Sequence, residues 1–301
     1  MTEQSEERKP LGWNYGGQAL IEGVLMRGPH VAAVAVRHPD GTIDVKTQSL
    51  GKLYTGPLSK IPFVRGLPML WDSLGLGMKA LFYSAEVAGQ EEDPNFSLQG
   101  AAGIGMGAFS LLLGVGLFML LPSFIAGLLI ADEKALLFNL VEGAIRLALL
   151  VGYMAAVGQM AEIRRVFAYH GAEHKTINAH EAGAPLTVEG IRPFTTAHPR
   201  CGTAFLLIVV LISILVFAPL GKPALLVRLA SRLLLLPVIS GIAYELLRFT
   251  GKHADNPLVR VLIAPNLALQ RLTTREPDDS MLEVALVSLK AVLEGEAVTQ
   301  G

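Results

Sequence analysis

Four of the seven histidines fall in one polar stretch, residues 169–201, at spacings that suit a metal ion. It reads Y-H-G-A-E-H-K-T-I-N-A-H-E-A-G, and eighteen residues beyond His180 comes H-P-R-C-G. On a helix, His170, Glu173 and His174 stand at i, i+3 and i+4, so two imidazoles and a carboxylate share one face. The order H-x-x-E-H inverts the zinc-binding H-E-x-x-H run. Two neutral imidazoles leave Zn²⁺ positively charged, and an uncoordinated carboxylate beside it can take a proton from bound water. A third donor must come from elsewhere, and Glu245, His198, His180, Glu181 and Cys201 are the candidates. The alternative is a structural cap, in which neutral rings donate to backbone carbonyls and hold a polar segment over apolar helices.

Cys201 opens an apolar run directly after Arg200. A thiol at a helix N-terminus beside a guanidinium is acidified, which favours metal binding or nucleophilic attack. The competing reading is a small buried hydrophobe. Near the start of the chain, G-G-Q-A-L-I-E-G-V-L-M-R-G-P (16–29) is dense in glycine but lacks the G-K-[ST] of a phosphate loop and the G-x-G-x-x-G of a dinucleotide site. It reads either as a packed loop or as part of a site to which Glu22 and Arg27 add charge.

These groups must be positioned by membrane helices. Of 301 residues, 51% are hydrophobic and 17% charged, which departs from soluble domains toward membrane proteins. A net charge of −1 gives no electrostatic attraction for nucleic acid, and a single cysteine excludes an intramolecular disulfide framework. The polar first ten residues adjoin no apolar core, so no cleavable signal is read there. No charged residue lies between Asp93 and Asp132, and a span needs roughly 20 apolar residues. Spans are predicted over 103–130, 135–161 and 201–221, with a fourth over 233–249 that needs Arg232 and Arg248 to snorkel at its ends. Glu142 and Arg146 fall inside the second span at i, i+4, where they can pair with each other or line a polar path for a transported substrate.

Orientation follows from loop charge. Arg164, Arg165, Lys175, Arg192 and Arg200 lie between spans two and three, but only Lys134 between one and two, which places the histidine segment and both termini in the cytoplasm. Lys222, Arg228 and Arg232, read as the loop before span four, oppose this rule. A hairpin is predicted over 32–45 about His38-Pro39-Asp40-Gly41. One or two amphipathic helices are read over 58–87, with Phe63, Trp71 and Phe82 at the membrane interface. After Pro277 the pattern of Met281, Leu282, Val284, Ala285, Leu286, Leu289, Val292 and Leu293 predicts a soluble amphipathic helix capped from Asp278, Asp279 or Ser280.

Five stretches carry a family resemblance: 16–29 above, Y-H-G-A-E-H-K-T-I (169–177), H-P-R-C-G-T (198–203), Y-E-L-L-R-F (244–249) and L-T-T-R-E-P-D-D (272–279). Through them the chain resembles the YqhQ-like family of bacterial multi-pass membrane proteins. That family has no known function and is often labelled as predicted metal-dependent enzymes. The expected fold is mainly α, a four-span helix bundle with a small α+β cytoplasmic domain built from the N-terminal region, the central loop and the C-terminal helix. The divisions are 1–99, 100–161, 162–200, 201–250 and 251–301. The expected activity is that of a metal-dependent hydrolase at the cytoplasmic face of the inner membrane, acting on a membrane-associated substrate. His170 and His174 bind a divalent ion such as Zn²⁺, with Glu245 or His198 as third ligand and Glu173 as base. The rival is a non-catalytic scaffold or accessory subunit for protein insertion or transport, with the bilayer and another membrane protein as partners.

Overall fold

A four-stranded antiparallel meander opens the described chain, with β1 (Gly16–Leu20), β2 (Gly23–Arg27), β3 (Val31–Arg37) and β4 (Ile43–Ser49) paired in sequence order. The computed structural model describes residues 15–51, 56–57, 61–90, 93, 96–98, 100–130, 134–221 and 223–300, without the side chains of 68–73, 101, 102, 225 and 300. The Trp71 side chain, Lys222 and the first fourteen residues lie outside this description. The hairpin predicted over 32–45 is β3–β4. Its turn is held by Asp40 Oδ1, which accepts from Thr42 N at 2.9 Å, and by Gly41 at a φ of 89°.

The glycine-rich segment is not a loop but a second hairpin. Gly16 pairs with Arg27 and Leu20 with Gly23, which leaves Ile21-Glu22 as a two-residue turn. Such turns need positive φ, and Glu22 supplies it at 51° despite its side chain. The backbone is held there because Arg165 Nε and Nη2 fork onto the Glu22 carboxylate at 2.5 and 2.6 Å, while Tyr169 Oη donates to it at 3.2 Å.

Nine α-helices and two other helical turns precede the last helix in the described chain: α1 (Gly66–Gly89), α2 (Ala101–Val115), a π turn (Gly116–Leu120), α3 (Leu121–Leu129), α4 (Ala135–Val157), α5 (Ala161–Glu181), α6 (Val188–Ile191), α7 (Gly202–Phe217), a 3₁₀ turn (Ala218–Leu220), α8 (Leu225–Lys252) and α9 (Pro257–Thr273). The last helix, α10 (Asp279–Gln300), is the one predicted after Pro277. Asp278 caps it, accepting from Met281 N at 3.0 Å.

The chain divides into two compact units. An α+β unit takes the described part of Met1–Gly51 together with Arg165–His198 and Thr274–Gly301. Its core joins Val24, Met26, Ala33 and Ala35 of the sheet to Tyr169 and Ile177 of α5 and to Leu282, Ala285, Leu289 and Val292 of α10. The period-2 and period-3.6 apolar patterns of these elements meet here, and that burial supplies the main drive for the unit to fold.

A helical unit takes Lys52–Arg164 and Pro199–Thr273. Four of its helical segments are long and apolar enough to cross a membrane: Gly103–Leu129, Ala135–Val157, Gly202–Leu220 and Leu226–Lys252. The first three follow the predicted spans. The fourth is longer than predicted, and Arg228 and Arg232 sit on α8 rather than in a loop. Arg232 tolerates this because it pairs with Glu142 of α4. The region 58–87 gives one helix, α1, and Phe63 before it is 58% exposed. α9 was not predicted as an element; it packs Leu269 against Leu150, Met154 and Leu207.

Candidate metal centre

The chemistry-bearing residues of the α+β unit lie on α5, a helix long enough to carry the whole H-x-x-E-H run on consecutive turns. His170 and His174 stack edge to face, with ring centroids 4.3 Å apart. Beyond them the chain returns through Thr195–Ala197, where Asn178 Nδ2 donates to the Thr195 and Ala197 carbonyls at 2.9 and 3.1 Å. This strap presents the Thr196 carbonyl to His174 Nδ1 at 2.6 Å. A carbonyl can only accept, so Nδ1 carries the proton and Nε2 of the neutral ring is left as a lone pair. That Nε2 is buried and has no hydrogen-bond partner among the described residues. His198, at the end of the same strap, lies with its ring centroid 5.5 Å from that of His174.

Glu173 faces the glycine-rich hairpin. Gly17 N–H donates to its carboxylate, and a Cβ on Gly17 would come within 3.0 Å of Glu173 Cδ and 2.5 Å of the Leu25 carbonyl. Glycine is needed at 17 because the carboxyl group occupies the space of a side chain. Burial raises the Glu173 pKa to about 7, against the opposing pull of His170 and of the Gly17 N–H. The carboxyl group is thus able to gain or lose a proton near neutrality. Gly171, inside the motif, admits a different strand: a Cβ there would collide with the Arg275 carbonyl, whose own N–H donates to Phe167 O at 2.9 Å. The chain at Arg275 therefore runs directly along α5.

The remaining candidates have contacts of their own. His180 meets Tyr15 edge to face at 4.9 Å, and burial lowers its pKa although Glu181 opposes the shift. Glu181 Oε2 lies 3.7 Å from His198 Nε2. Glu22 is engaged by Arg165 and Tyr169, and Arg27 closes β2. In the helical unit, Cys201 is buried and its Sγ accepts from Thr203 N at 3.4 Å at the start of α7. Glu245 forks with Arg65, whose Nε and Nη2 donate at 2.7 and 2.6 Å, and accepts from Phe63 N at 3.2 Å. Both oxygens of Glu245, one of the two expected third ligands, are therefore already engaged.

Reading the sequence alone missed Gly17, Thr196 and Tyr15. The glycine doublet signals Gly17, whereas Thr196 acts through a backbone carbonyl that no residue type reports.

Four helices long and apolar enough to cross a membrane among the described residues, in one chain with an α+β unit that carries clustered imidazoles, are the features of a multi-span membrane protein. The chain belongs to the family described as "Protein of unknown function (DUF1385)", whose model matches residues 61–295. It is similar to the "Uncharacterized protein YqhQ" of Bacillus subtilis (strain 168), at 35% identity over 304 residues, covering 95% of this chain and 94% of that protein. No solved structure matches.

Proposed function

We propose that this protein is a metal-dependent hydrolase of the inner membrane, working at the cytoplasmic face on a membrane-associated substrate. The observation that carries the reading is the His174 Nε2, buried and unpartnered among the described residues, while Nδ1 is held by the Thr196 carbonyl. Metal-binding histidines are commonly oriented by such a carbonyl on the other ring nitrogen, and an unmet buried acceptor is costly unless something binds it. His170 brings a second ring against His174, with His198 a third ring 5.5 Å from His174, and imidazole donors suit Zn²⁺. Bound there, Zn²⁺ would supply Lewis acidity and lower the pKa of a coordinated water. Glu173, seated on Gly17 N–H with a pKa raised by burial to about 7, would be the residue that holds and returns the proton there.

The test begins with elemental analysis of the purified protein. Wild type is expected to hold about one divalent ion per chain, and His170→Ala and His174→Ala to lose it. Unchanged metal content in both variants would remove the centre. Glu173→Gln should keep metal and fold but lose the ability to complement a deletion strain, since removing a general base costs about 10² to 10⁴ in rate.

A second reading draws on the same contacts. Asn178, His174 and Lys175 tie α5 to the returning strap and to Arg192, as a non-catalytic accessory subunit for protein insertion or transport would need. Full complementation by Glu173→Gln favours that role.

A further inference from the structure

The helical unit carries positive charge that its own acids do not balance. Glu142 on α4 is 1% exposed and takes one arginine on each oxygen, Arg146 Nη2 on Oε1 and Arg232 Nη2 on Oε2. All the Arg146 nitrogens are occupied, because its Nε donates to the Phe118 carbonyl of the π turn at 2.9 Å and its Nη1 to Ser213 Oγ at 3.3 Å. Arg232 also reaches Asn139 Oδ1 at 3.2 Å, but its Nε is buried with no acceptor among the described residues. Arg228, one turn earlier on α8, meets no acid among the described residues, and its Nε is buried without an acceptor too. Its guanidinium lies 5.0 Å over the Phe138 ring, as that of Arg232 lies 4.8 Å over Phe217. Among the described residues, three permanently charged guanidinium groups meet one carboxylate, which leaves two charges without a carboxylate partner.

These charges lie at one end of the spans. Asn139 Nδ2 donates to Gly221 O at 2.8 Å, so the start of α4, the end of α7 and the start of α8 meet there. Arg228 and Arg232 fall within the first two or so turns of α8, about 5 to 10 Å along it, where lipid phosphates meet the hydrocarbon. Snorkelling does not describe them. A snorkelling arginine carries its head out to water, whereas Arg228 is 9% exposed and Arg232 4%. Each packs one face on a ring and keeps N–H edges for an oxyanion, a geometry suited to phosphate.

We propose that Arg228 and Arg232 bind a phosphate group at this end of the spans, carried by an anionic phospholipid or supplied as free inorganic phosphate. The test uses full-length protein in mild detergent, stripped of lipid, with phosphatidylglycerol, phosphatidylcholine or inorganic phosphate added. Thermal midpoint and lipid retained in native mass spectrometry are the readouts. Phosphatidylglycerol should be retained and raise the midpoint, phosphatidylcholine should not, and Arg228→Gln should weaken the effect about tenfold or more. Arg228→Lys should keep part of it, which separates charge from misfolding. Stabilisation by inorganic phosphate alone would identify a soluble source for the same site. Equal responses in wild type and Arg228→Gln, or no response in wild type, would overturn the proposal. So would ligand binding that appears only after Asp132→Asn with Glu133→Gln, because the counter-charge would then be the chain's own.

Discussion

At the level of single residues, Gly17 leaves room for Glu173 beside the Leu25 carbonyl, and Glu142 stands between Arg146 and Arg232. Gly17→Ala places a methyl group 2.5 Å from the Leu25 carbonyl and 3.0 Å from Glu173 Cδ. The variant is expected to hold its metal, since His170 and His174 are untouched, yet to fail in complementation, with about 1 to 3 kcal/mol lost in stability. Metal content and growth measured together check this. Glu142→Gln leaves Arg146 and Arg232 without their carboxylate, and breaking a buried charge network this way costs about 3 to 5 kcal/mol. Replacing all three residues with Met or Leu should recover most of the loss, as melting in detergent would show. The imidazole pair and Glu173 were legible in the sequence because helical spacing alone decides which side chains share a face. Their fixing groups were not, because the Thr196 carbonyl and the Gly17 N–H belong to the backbone and reach α5 only through tertiary structure.

At the level of elements, α10 is tied to the sheet by Glu296. His30 N and Val31 N donate to Glu296 Oε1 at 2.6 and 2.8 Å, and the His30 ring contacts Oε2 at 2.8 Å. Burial pushes the Glu296 pKa up, but these hydrogen bonds win and hold it below the usual carboxylate range. A carboxylate depressed in the fold stabilises fully above its unfolded pKa of about 4.3, and loses that contribution as pH falls through the lower folded value. The stability gap between wild type and Glu296→Gln, about 1 to 3 kcal/mol near neutral pH, should therefore shrink on acidification below pH ~4.3. A gap independent of pH would show that the ionised carboxylate is not what ties the helix.

Two elements were misread for related reasons. The β1–β2 hairpin lacks an Asn-Gly or Asp-Gly turn and relies on Arg165 and Tyr169 to hold Glu22 at positive φ. The start of α8 looked like a charged loop because the acid that accommodates Arg232 sits ninety residues away, on α4.

At the level of the whole molecule, the corrected start of α8 removes the conflict in loop charge. With Arg228 and Arg232 on the helix, Lys222 is the remaining basic residue between spans three and four, against five between spans two and three. Both termini and the histidine segment are accordingly expected in the cytoplasm. A cysteine at Ala184 in a Cys201→Ser background should resist an impermeant thiol reagent added to intact cells, and efficient labelling there would reverse the orientation. The α+β unit also has a birth order. Its sheet leaves the ribosome first, while α10, which covers that sheet, follows every span in the chain. At about 5 to 20 residues per second the delay is on the order of tens of seconds, during which Val24, Met26 and Ala33 lack their lid. Until synthesis passes α10, a nascent or truncated chain therefore leaves this face of the sheet without the helix that covers it.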